Sequence, residues 1–184
     1  SVRGRLILVT GGSGSGKSAF AERTLLSLGE GRPVYLATMD QRDGESLRRI
    51  ARHREMRQRH GAMAGKSFVT VEQPVDIGGA AVEAGDCVLL EDLGNLLSNE
   101  IWSPAGAGEK AEEAILAGID AILERAALLV VVTNEIFSDG AEWTGGMDRY
   151  VRGLGRLNQA LAARAETVVE VVCGIPIYHK GGGR

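Results

Sequence analysis

Apolar residues gather in five short runs that divide the chain at fairly regular intervals. These runs are residues 6–10, 34–38, 87–91, 128–133 and 168–172. Nearly continuous apolarity is typical of parallel strands that are covered by helices on both faces. Stretches with the length and periodicity of helices lie between the runs, at residues 18–28, 45–60, 109–126 and 150–165. The alternation predicts an α/β fold, with a mostly parallel central sheet and helices on both faces.

Composition narrows the classes of protein that this chain can belong to. With 184 residues and 44% hydrophobic content, residues 1–184 are predicted to form a single domain. The net charge of −3 argues against nucleic acid as a partner, and the sequence contains no apolar run long enough for a transmembrane segment. Cys87 and Cys173 each adjoin an apolar run, which predicts two buried thiols and a reducing compartment. We therefore expect a cytoplasmic protein that binds small molecules.

A glycine-rich segment directly follows the first apolar run and precedes the first helical stretch. Its sequence, GGSGSGKS, matches the pattern G-x-x-x-x-G-K-S, and its strand-before, helix-after context is the one that such loops require. Backbone amides of this loop wrap phosphates, the lysine reaches the β and γ oxygens, and the final serine hydroxyl is a ligand for Mg²⁺. The predicted nucleotide-binding residues are Gly11, Gly12, Ser13, Gly14, Ser15, Gly16, Lys17 and Ser18. The fold class is therefore predicted to be that of the P-loop NTPases.

Polar residues end two further apolar runs. Glu91 and Asp92 follow the third run, and Thr133, Asn134 and Glu135 follow the fourth. Ligands of open α/β sheets bind at the carboxyl ends of the strands, so these side chains are expected to line one crevice. Ser18, Glu91 and Asp92 are the candidate Mg²⁺ residues, although a charged pair also simply marks the point where a strand meets solvent.

The stretch RRIARHREM is not explained by a phosphate loop alone. On a helix, Arg49, His53 and Arg57 lie at i, i+4 spacing along one face. Two neighbouring guanidinium groups disfavour protonation of an imidazole, which predicts a neutral His53 that could attack a phosphorus atom. The same arginines would neutralise a triphosphate. The competing interpretation is a solvated basic face with an incidental histidine.

Together these segments resemble the bifunctional adenosylcobinamide kinase / adenosylcobinamide-phosphate guanylyltransferase family of cobalamin biosynthesis. The resemblance rests on ILVTGGSGSGKS, VYLATM, RIARHREMR, TVEQP, LLED, VVVTNE and the C-terminal RLNQALAARAETVVEVVCGIPI, in this order. It implies that ATP or GTP phosphorylates adenosylcobinamide. It also implies that GMP passes from GTP, through a guanylyl-histidine at His53, to adenosylcobinamide phosphate. The resemblance further implies a homotrimer.

The resemblance also implies residues for both reactions. Lys17 and His53 are implied as catalytic. Further nucleotide contacts are implied at Ala37, Thr38, Met39, Arg54, Glu55, Met56, Arg57, Glu72 and Glu91. The sequence departs from the family pattern in three places: a longer stretch after Arg57 that introduces His60 as a rival nucleophile, Asp92 in place of a frequent cysteine, and a replaced glycine-rich segment after Glu135.

Two other functions fit parts of the sequence. One is a kinase without transferase activity, in which His53 at most anchors a phosphate. The other is a non-catalytic nucleotide switch whose arginine-rich helix contacts a partner. Trp102 and Trp143 were expected in loops after the third and fourth strands, where an aromatic ring either covers a bulky corrin or packs a loop. His179 was expected at the surface.

Overall fold

Seven strands form one sheet in the computed structural model, which describes residues 3–39, 44–134 and 145–182. The strands are β1 (Arg5–Gly11), β2 (Pro33–Ala37), β3 (Val69–Glu72), β4 (Cys87–Glu91), β5 (Leu128–Asn134), β6 (Thr167–Val172) and β7 (Ile175–Lys180). Their spatial order is β3-β2-β4-β5-β1-β6-β7. All neighbouring pairs are parallel except β6 and β7, which form an antiparallel hairpin at one edge. The prediction of a mostly parallel sheet is confirmed.

Helices cover both faces of this sheet, as the alternation predicted. They are α1 (Lys17–Leu28), α2 (Gly44–Met63), α3 (Leu93–Trp102), α4 (Ala111–Arg125) and α5 (Gly146–Arg164). Alternate residues of β1 face opposite sides: Ile7 and Val9 pack with α1, whereas Leu6 and Leu8 pack with α3, α4 and α5. Among the described residues, no helix is long and apolar enough to cross a membrane.

The three central strands are the best buried part of the fold. Leu128 to Val132 of β5 are each no more than 2% exposed, and β4 is buried along its whole length. This burial explains why these runs carry no alternating pattern, because both faces of the strand lie against helices. The central strands therefore hold their carboxyl ends in fixed positions, and the candidate site lies there.

Several local predictions need correction. The hydrophobic pattern does not predict β3, α3 or β7, and α2 extends to Met63 and not only to His60. Trp102 is the last residue of α3 and not a loop residue. Cys87 is buried as expected, but Cys173 is exposed, because the apolar run ends one residue earlier and the chain turns back there with a positive φ of 49°. His179 is at the surface, where it pairs with Glu170. Glu135 and Trp143 lie outside the described residues.

Candidate active site

The glycine-rich loop curls at the carboxyl end of β1 and opens directly into α1. Gly14 and Gly16 have φ values of +72° and +90°, which residues with a Cβ rarely adopt, and Gly16 precedes the first turn of α1. Lys17 Nζ donates to the carbonyl of Gly12 at 3.1 Å, so its side chain folds back over the loop. Residues 12–18 all line one space in front of the amino end of α1, which is the kind of position where loop amides and a helix amino end bind anions.

That space is a cavity of about 1040 Å³ at the carboxyl end of the sheet. One wall is the glycine-rich loop, the opposite wall is α2, and the polar ends of β4 and β5 lie between them. The side chains that line it beyond the loop include Tyr35, Met39, Arg49, Arg52, His53, Glu55, Met56, Arg59, Glu91, Asp92, Asn95 and Asn134. A cavity of this size accommodates a nucleoside triphosphate, since small-molecule sites measure about 300–1000 Å³.

Two acidic residues and Lys17 meet at one side of the cavity. Burial lowers the pKa of Lys17, and the negative charges of Asp92 and Glu91 oppose that shift. Burial also raises the pKa of Asp92, whose Oδ1 accepts the backbone N–H of Asn95 and caps α3 at 2.7 Å. The peptide bond between Glu91 and Asp92 is cis. The cap fixes the carboxylate of Asp92 at the cavity wall, next to the lysine.

Glu91 is the most heavily connected residue of this wall. Its Oε2 accepts the phenol O–H of Tyr35 at 2.7 Å and lies 3.2 Å from Nδ1 of His53. Burial alone would raise the pKa of Glu91, but hydrogen bonds from His53, Ser18 and Tyr35 hold that pKa below its ordinary value. A buried carboxylate facing Nδ1 favours the tautomer with its proton on Nδ1, which leaves the lone pair on Nε2.

The basic face of α2 differs from the expectation in one respect. Arg49 and His53 both line the cavity, but Arg57 turns away from it and is only 4% exposed. Its guanidinium stacks 3.4 Å above the ring of Tyr35. The cation is drawn inward because an aromatic face and the carboxylates of Glu22 and Glu91 lie beneath α2. The nearest charged partner of His53 is therefore a carboxylate and not a second guanidinium group.

His60, the rival nucleophile, lies one helical turn beyond Arg57 and does not line the cavity. Its Nδ1 lies 2.7 Å from Oε2 of Glu22, a fully buried residue of α1. Burial raises the pKa of Glu22 to about 8 and lowers the pKa of His60. Near neutral pH we therefore assign this contact as a hydrogen bond between a neutral carboxyl and a neutral imidazole. It anchors α2 on α1.

Comparison with known proteins identifies the family. The family model described as cobinamide kinase / cobinamide phosphate guanyltransferase matches residues 7–178. This chain belongs to that family. The bifunctional adenosylcobalamin biosynthesis protein CobP of Pseudomonas aeruginosa is 35% identical over 179 residues, covering 95% of this chain and 96% of the relative.

Two further relatives span equal shares of the chain. The bifunctional adenosylcobalamin biosynthesis proteins CobU of Escherichia coli and of Salmonella typhimurium are 35% and 32% identical, each covering 95% of this chain and 99% of the relative. Among solved structures, the flagellar accessory protein FlaH of Methanocaldococcus jannaschii aligns with a TM-score of 0.49 at 9% identity, covering 98% of this chain and 80% of that one. The resemblance drawn from the sequence motifs is thus confirmed.

The nucleotide, metal and catalytic residues predicted from the sequence motifs and from the family resemblance fall into three groups. Gly12 to Ser18, Met39, His53, Glu55, Met56, Glu91 and Asp92 line the large cavity. A smaller pocket behind His53 is lined by Ala37, Met39, Arg54, Arg57 and Glu72, among others. Gly11 and Thr38 line neither: Gly11 pairs with Asn134 inside the sheet, and the Thr38 hydroxyl binds the backbone of Glu91 and Asp92. Gly11 and Thr38 therefore hold the surrounding backbone in place and would not contact a ligand in the cavity.

Four residues that support the site were not predicted from the sequence. Tyr35 lies within a predicted strand, Asn95 within an unpredicted helix, and Glu22 within the first helical stretch. Asn158 of α5 accepts a hydrogen bond from Thr133 at 2.7 Å and thereby fixes the end of β5. Of these four, only Glu22 could have been found from the sequence, because it lies among apolar residues of a helical stretch. A buried acid requires a polar partner, so its position indicates a contact with another element.

Proposed function

We propose that this protein carries out both reactions of its family, in the one large cavity. The first reaction phosphorylates adenosylcobinamide with ATP or GTP, and the second transfers GMP from GTP to adenosylcobinamide phosphate. The observation that carries the proposal is that Lys17 and His53, which belong to elements far apart in sequence, line the same cavity. A triphosphate on the glycine-rich loop would thus lie within reach of both side chains.

In the kinase reaction, the loop amides and Lys17 bind the β and γ phosphates. The acceptor hydroxyl attacks the γ phosphorus, the bond from that phosphorus to the β-bridging oxygen breaks, and the nucleoside diphosphate leaves. Lys17 offsets the negative charge that develops on the phosphate oxygens. The hydroxyl proton needs an acceptor, for which Asp92 is our candidate, since burial raises the pKa of this carboxylate beside the lysine.

In the transferase reaction, Nε2 of His53 attacks the α phosphorus of GTP, and the bond to the β phosphate breaks with release of pyrophosphate. The phosphate of the acceptor then attacks the guanylyl group, the phosphorus–nitrogen bond breaks, and the imidazole is restored. Glu91 accepts a hydrogen bond from the Nδ1–H group, which stays on the ring, and stabilises the imidazolium-like charge of the intermediate, in the way that a buried carboxylate orients a catalytic histidine. Arg49 and Arg52 supply positive charge at the same wall.

Mg²⁺ fits the residues at this site. Ser18 hydrogen-bonds to Glu91, and Oε1 of Glu91 is buried without a hydrogen-bond partner among the described residues. Hydroxyl and carboxylate oxygens are ligands that Mg²⁺ accepts alongside phosphates and waters. We propose that Ser18, with Glu91 or Asp92, holds the ion, which would neutralise charge on the bound phosphates. The homotrimer and the cytoplasmic location remain predictions.

The proposal is tested with GTP radiolabelled on its α phosphate. The protein is incubated with this GTP and Mg²⁺, separated by denaturing electrophoresis, and treated with acid or alkali. We expect acid-labile, alkali-stable label on the parent protein and on His60→Asn, and none on His53→Asn. The His53→Asn variant should still phosphorylate adenosylcobinamide with ATP.

Other outcomes separate the alternatives. Phosphorylation of adenosylcobinamide without any label on the parent protein would leave a kinase only. Nucleotide binding without either activity would leave a nucleotide-dependent switch. Label that persists in His53→Asn but disappears in His60→Asn would move the nucleophile to His60.

A further inference from the structure

An exposed aromatic surface lies next to the cavity and takes no part in the chemistry described so far. Trp102, at the end of α3, is 52% exposed and stacks on Tyr150 of α5, with ring centroids 6.0 Å apart and planes inclined by 26°. Met147, in the first turn of α5, is 48% exposed. We refer to Trp102, Met147 and Tyr150 as the aromatic ledge. Large apolar side chains that are exposed together at a protein surface indicate a contact surface.

The aromatic ledge is continuous with the catalytic wall through Tyr150. A Cβ added to Gly94 would lie 2.7 Å from the phenol oxygen of Tyr150, 3.4 Å from Oδ1 of Asp92 and 3.5 Å from Nδ2 of Asn134. The phenol oxygen thus lies close to Gly94, where side-chain atoms of Asp92 and Asn134 also approach, and a residue larger than glycine would collide with the phenol. Burial and the charge of Asp92 raise the pKa of Tyr150, so its phenol stays protonated.

The dimensions of α3 connect the two ends of this surface. Asp92 caps the amino end of α3 and Trp102 closes its carboxyl end. Ten residues of α-helix span about 15 Å, so the aromatic ledge runs from the catalytic carboxylate to a point about that far away. A ligand with a reacting group on an extended arm could place the arm at Asp92 and its bulk over Trp102.

Given the proposed function, we infer that the aromatic ledge binds the corrin ring of the acceptor in both reactions. The cavity of about 1040 Å³ contains the glycine-rich loop, where we place the nucleoside triphosphate, and we place the bulk of the macrocycle on the neighbouring exposed surface. Aromatic side chains bind planar rings by stacking and by burying apolar area. The aminopropanol arm of the acceptor then enters past Asp92, where Lys17 and His53 both face the cavity. One acceptor site therefore serves both chemical steps.

The test measures corrinoid binding separately from catalysis. Equilibrium dialysis with adenosylcobinamide compares the parent protein with Trp102→Ala, Trp102→Phe and Tyr178→Ala. Tyr178 is a matched control, an aromatic residue that is 44% exposed on the edge strand β7. We expect Kd to rise about tenfold in Trp102→Ala, as the loss of one stacked aromatic contact implies. The Phe variant should retain most of the affinity, and Tyr178→Ala should bind like the parent.

Labelling of His53 by GTP needs no acceptor and distinguishes the two proposals. Parent-like labelling in Trp102→Ala, together with weaker corrinoid binding, supports the aromatic ledge. An unchanged Kd in Trp102→Ala overturns the aromatic ledge, even where both activities of the parent are intact. If the parent binds adenosylcobinamide through Trp102 but shows neither labelling nor phosphorylation, the proposed function fails while the binding surface stands.

Discussion

The two long walls of the cavity are built by different means. The glycine-rich wall, residues 12–18, presents the backbone of one contiguous loop, and its shape depends on the φ angles of Gly14 and Gly16. The opposite wall is α2, which presents His53 to the cavity and is held in place by side-chain contacts with three other elements. His53 faces Glu91 of β4, Arg57 stacks on Tyr35 of β2, and His60 binds Glu22 of α1.

The difference separates what each wall contributes. A backbone cradle binds any triphosphate in the same way, and one side chain can be altered without moving the loop. The wall at α2 depends on buried charges that compensate one another, so removing one charged group changes the electrostatic environment of its neighbours. The loop wall is accordingly suited to phosphate binding, and the α2 wall to holding one nucleophile in one protonation state.

The largest effect on the kinase reaction is expected from a change at Lys17, the lysine of the loop wall. We expect Lys17→Met to slow phosphorylation of adenosylcobinamide by about 10²–10³-fold, because one charged donor to the transferring phosphate is lost. Steady-state kinetics with ATP measure this loss. Lys110→Met, an exposed lysine away from the cavity, is the control.

The same experiment on His53→Asn sharpens the comparison. This variant should lose the transferase reaction and retain the kinase reaction. Equal loss of both reactions in Lys17→Met and in His53→Asn would show that the two walls do not act separately.

The next largest effect is a pH dependence of the free energy of unfolding, which arises from Glu22, the buried acid beneath α2. The pKa of Glu22 is about 8 in the folded protein, so the folded state keeps a proton that the unfolded chain releases near pH 4.5. Stability therefore falls as pH rises toward 8, by about 2 kcal/mol between pH 6.5 and pH 9. Urea unfolding at these two pH values measures the change.

Glu22→Gln provides the matched variant. It removes the titrating group while preserving its shape, so its free energy of unfolding should change less over the same pH range. At pH 9 this variant should be more stable than the parent, whose buried carboxylate is then ionised. A parent and a variant with the same pH dependence would mean that Glu22 is not protonated in the folded state.

The two walls also differ in how far the sequence predicts them. The loop motif is contiguous, and its strand-before, helix-after context is readable from hydrophobicity alone, so its placement between β1 and α1 needed no structure. The contacts of His53 and His60 each join residues 38 positions apart, and Arg57 stacks on a ring 22 positions earlier in the chain. Helical spacing gave the face that carries Arg49 and His53, but it could not give the partner beneath Arg57.

Missed elements follow the same logic. Strand β7 is exposed throughout and contains Pro176, which a central strand would not tolerate but an edge strand does. Helix α3 begins at Leu93 and is capped by Asp92, which the sequence indicated as a candidate metal ligand and not as a helix cap. Strand β3 has only four residues. The two strands have weak hydrophobic patterns of their own, whereas α3 carries a short stripe of buried leucines, Leu93, Leu96 and Leu97.

A smaller effect on stability is expected when the hydrogen bond from Tyr35 to Glu91 is removed. Tyr35→Phe removes the hydrogen bond to Glu91 and keeps the ring under Arg57. We expect a loss of about 1.5 kcal/mol in the free energy of unfolding, as for one hydrogen bond to a charged group. Labelling of His53 should also slow, because Glu91 is then held less firmly. Normal labelling would mean that Glu91 needs no support from Tyr35.

The smallest effect on stability should come from the loop wall itself. A Cβ at Gly12 meets no atom within 4 Å, whereas Gly16 has a φ of +90°. We expect Gly12→Ala to change the free energy of unfolding by no more than about 0.5 kcal/mol, and Gly16→Ala to cost about 1–2 kcal/mol. Both are measured by urea unfolding.

Gly12→Ala should nevertheless raise KM for ATP and for GTP, because the added methyl group projects into the cavity where phosphates bind. The Gly12→Ala variant therefore separates the stability of the loop from its ability to bind phosphates. The fold tolerates a side chain at Gly12, but the phosphates do not. Parent-like KM values in Gly12→Ala would place the phosphates away from Gly12, and the α2 wall would then have to supply the phosphate contacts that we assign to the loop.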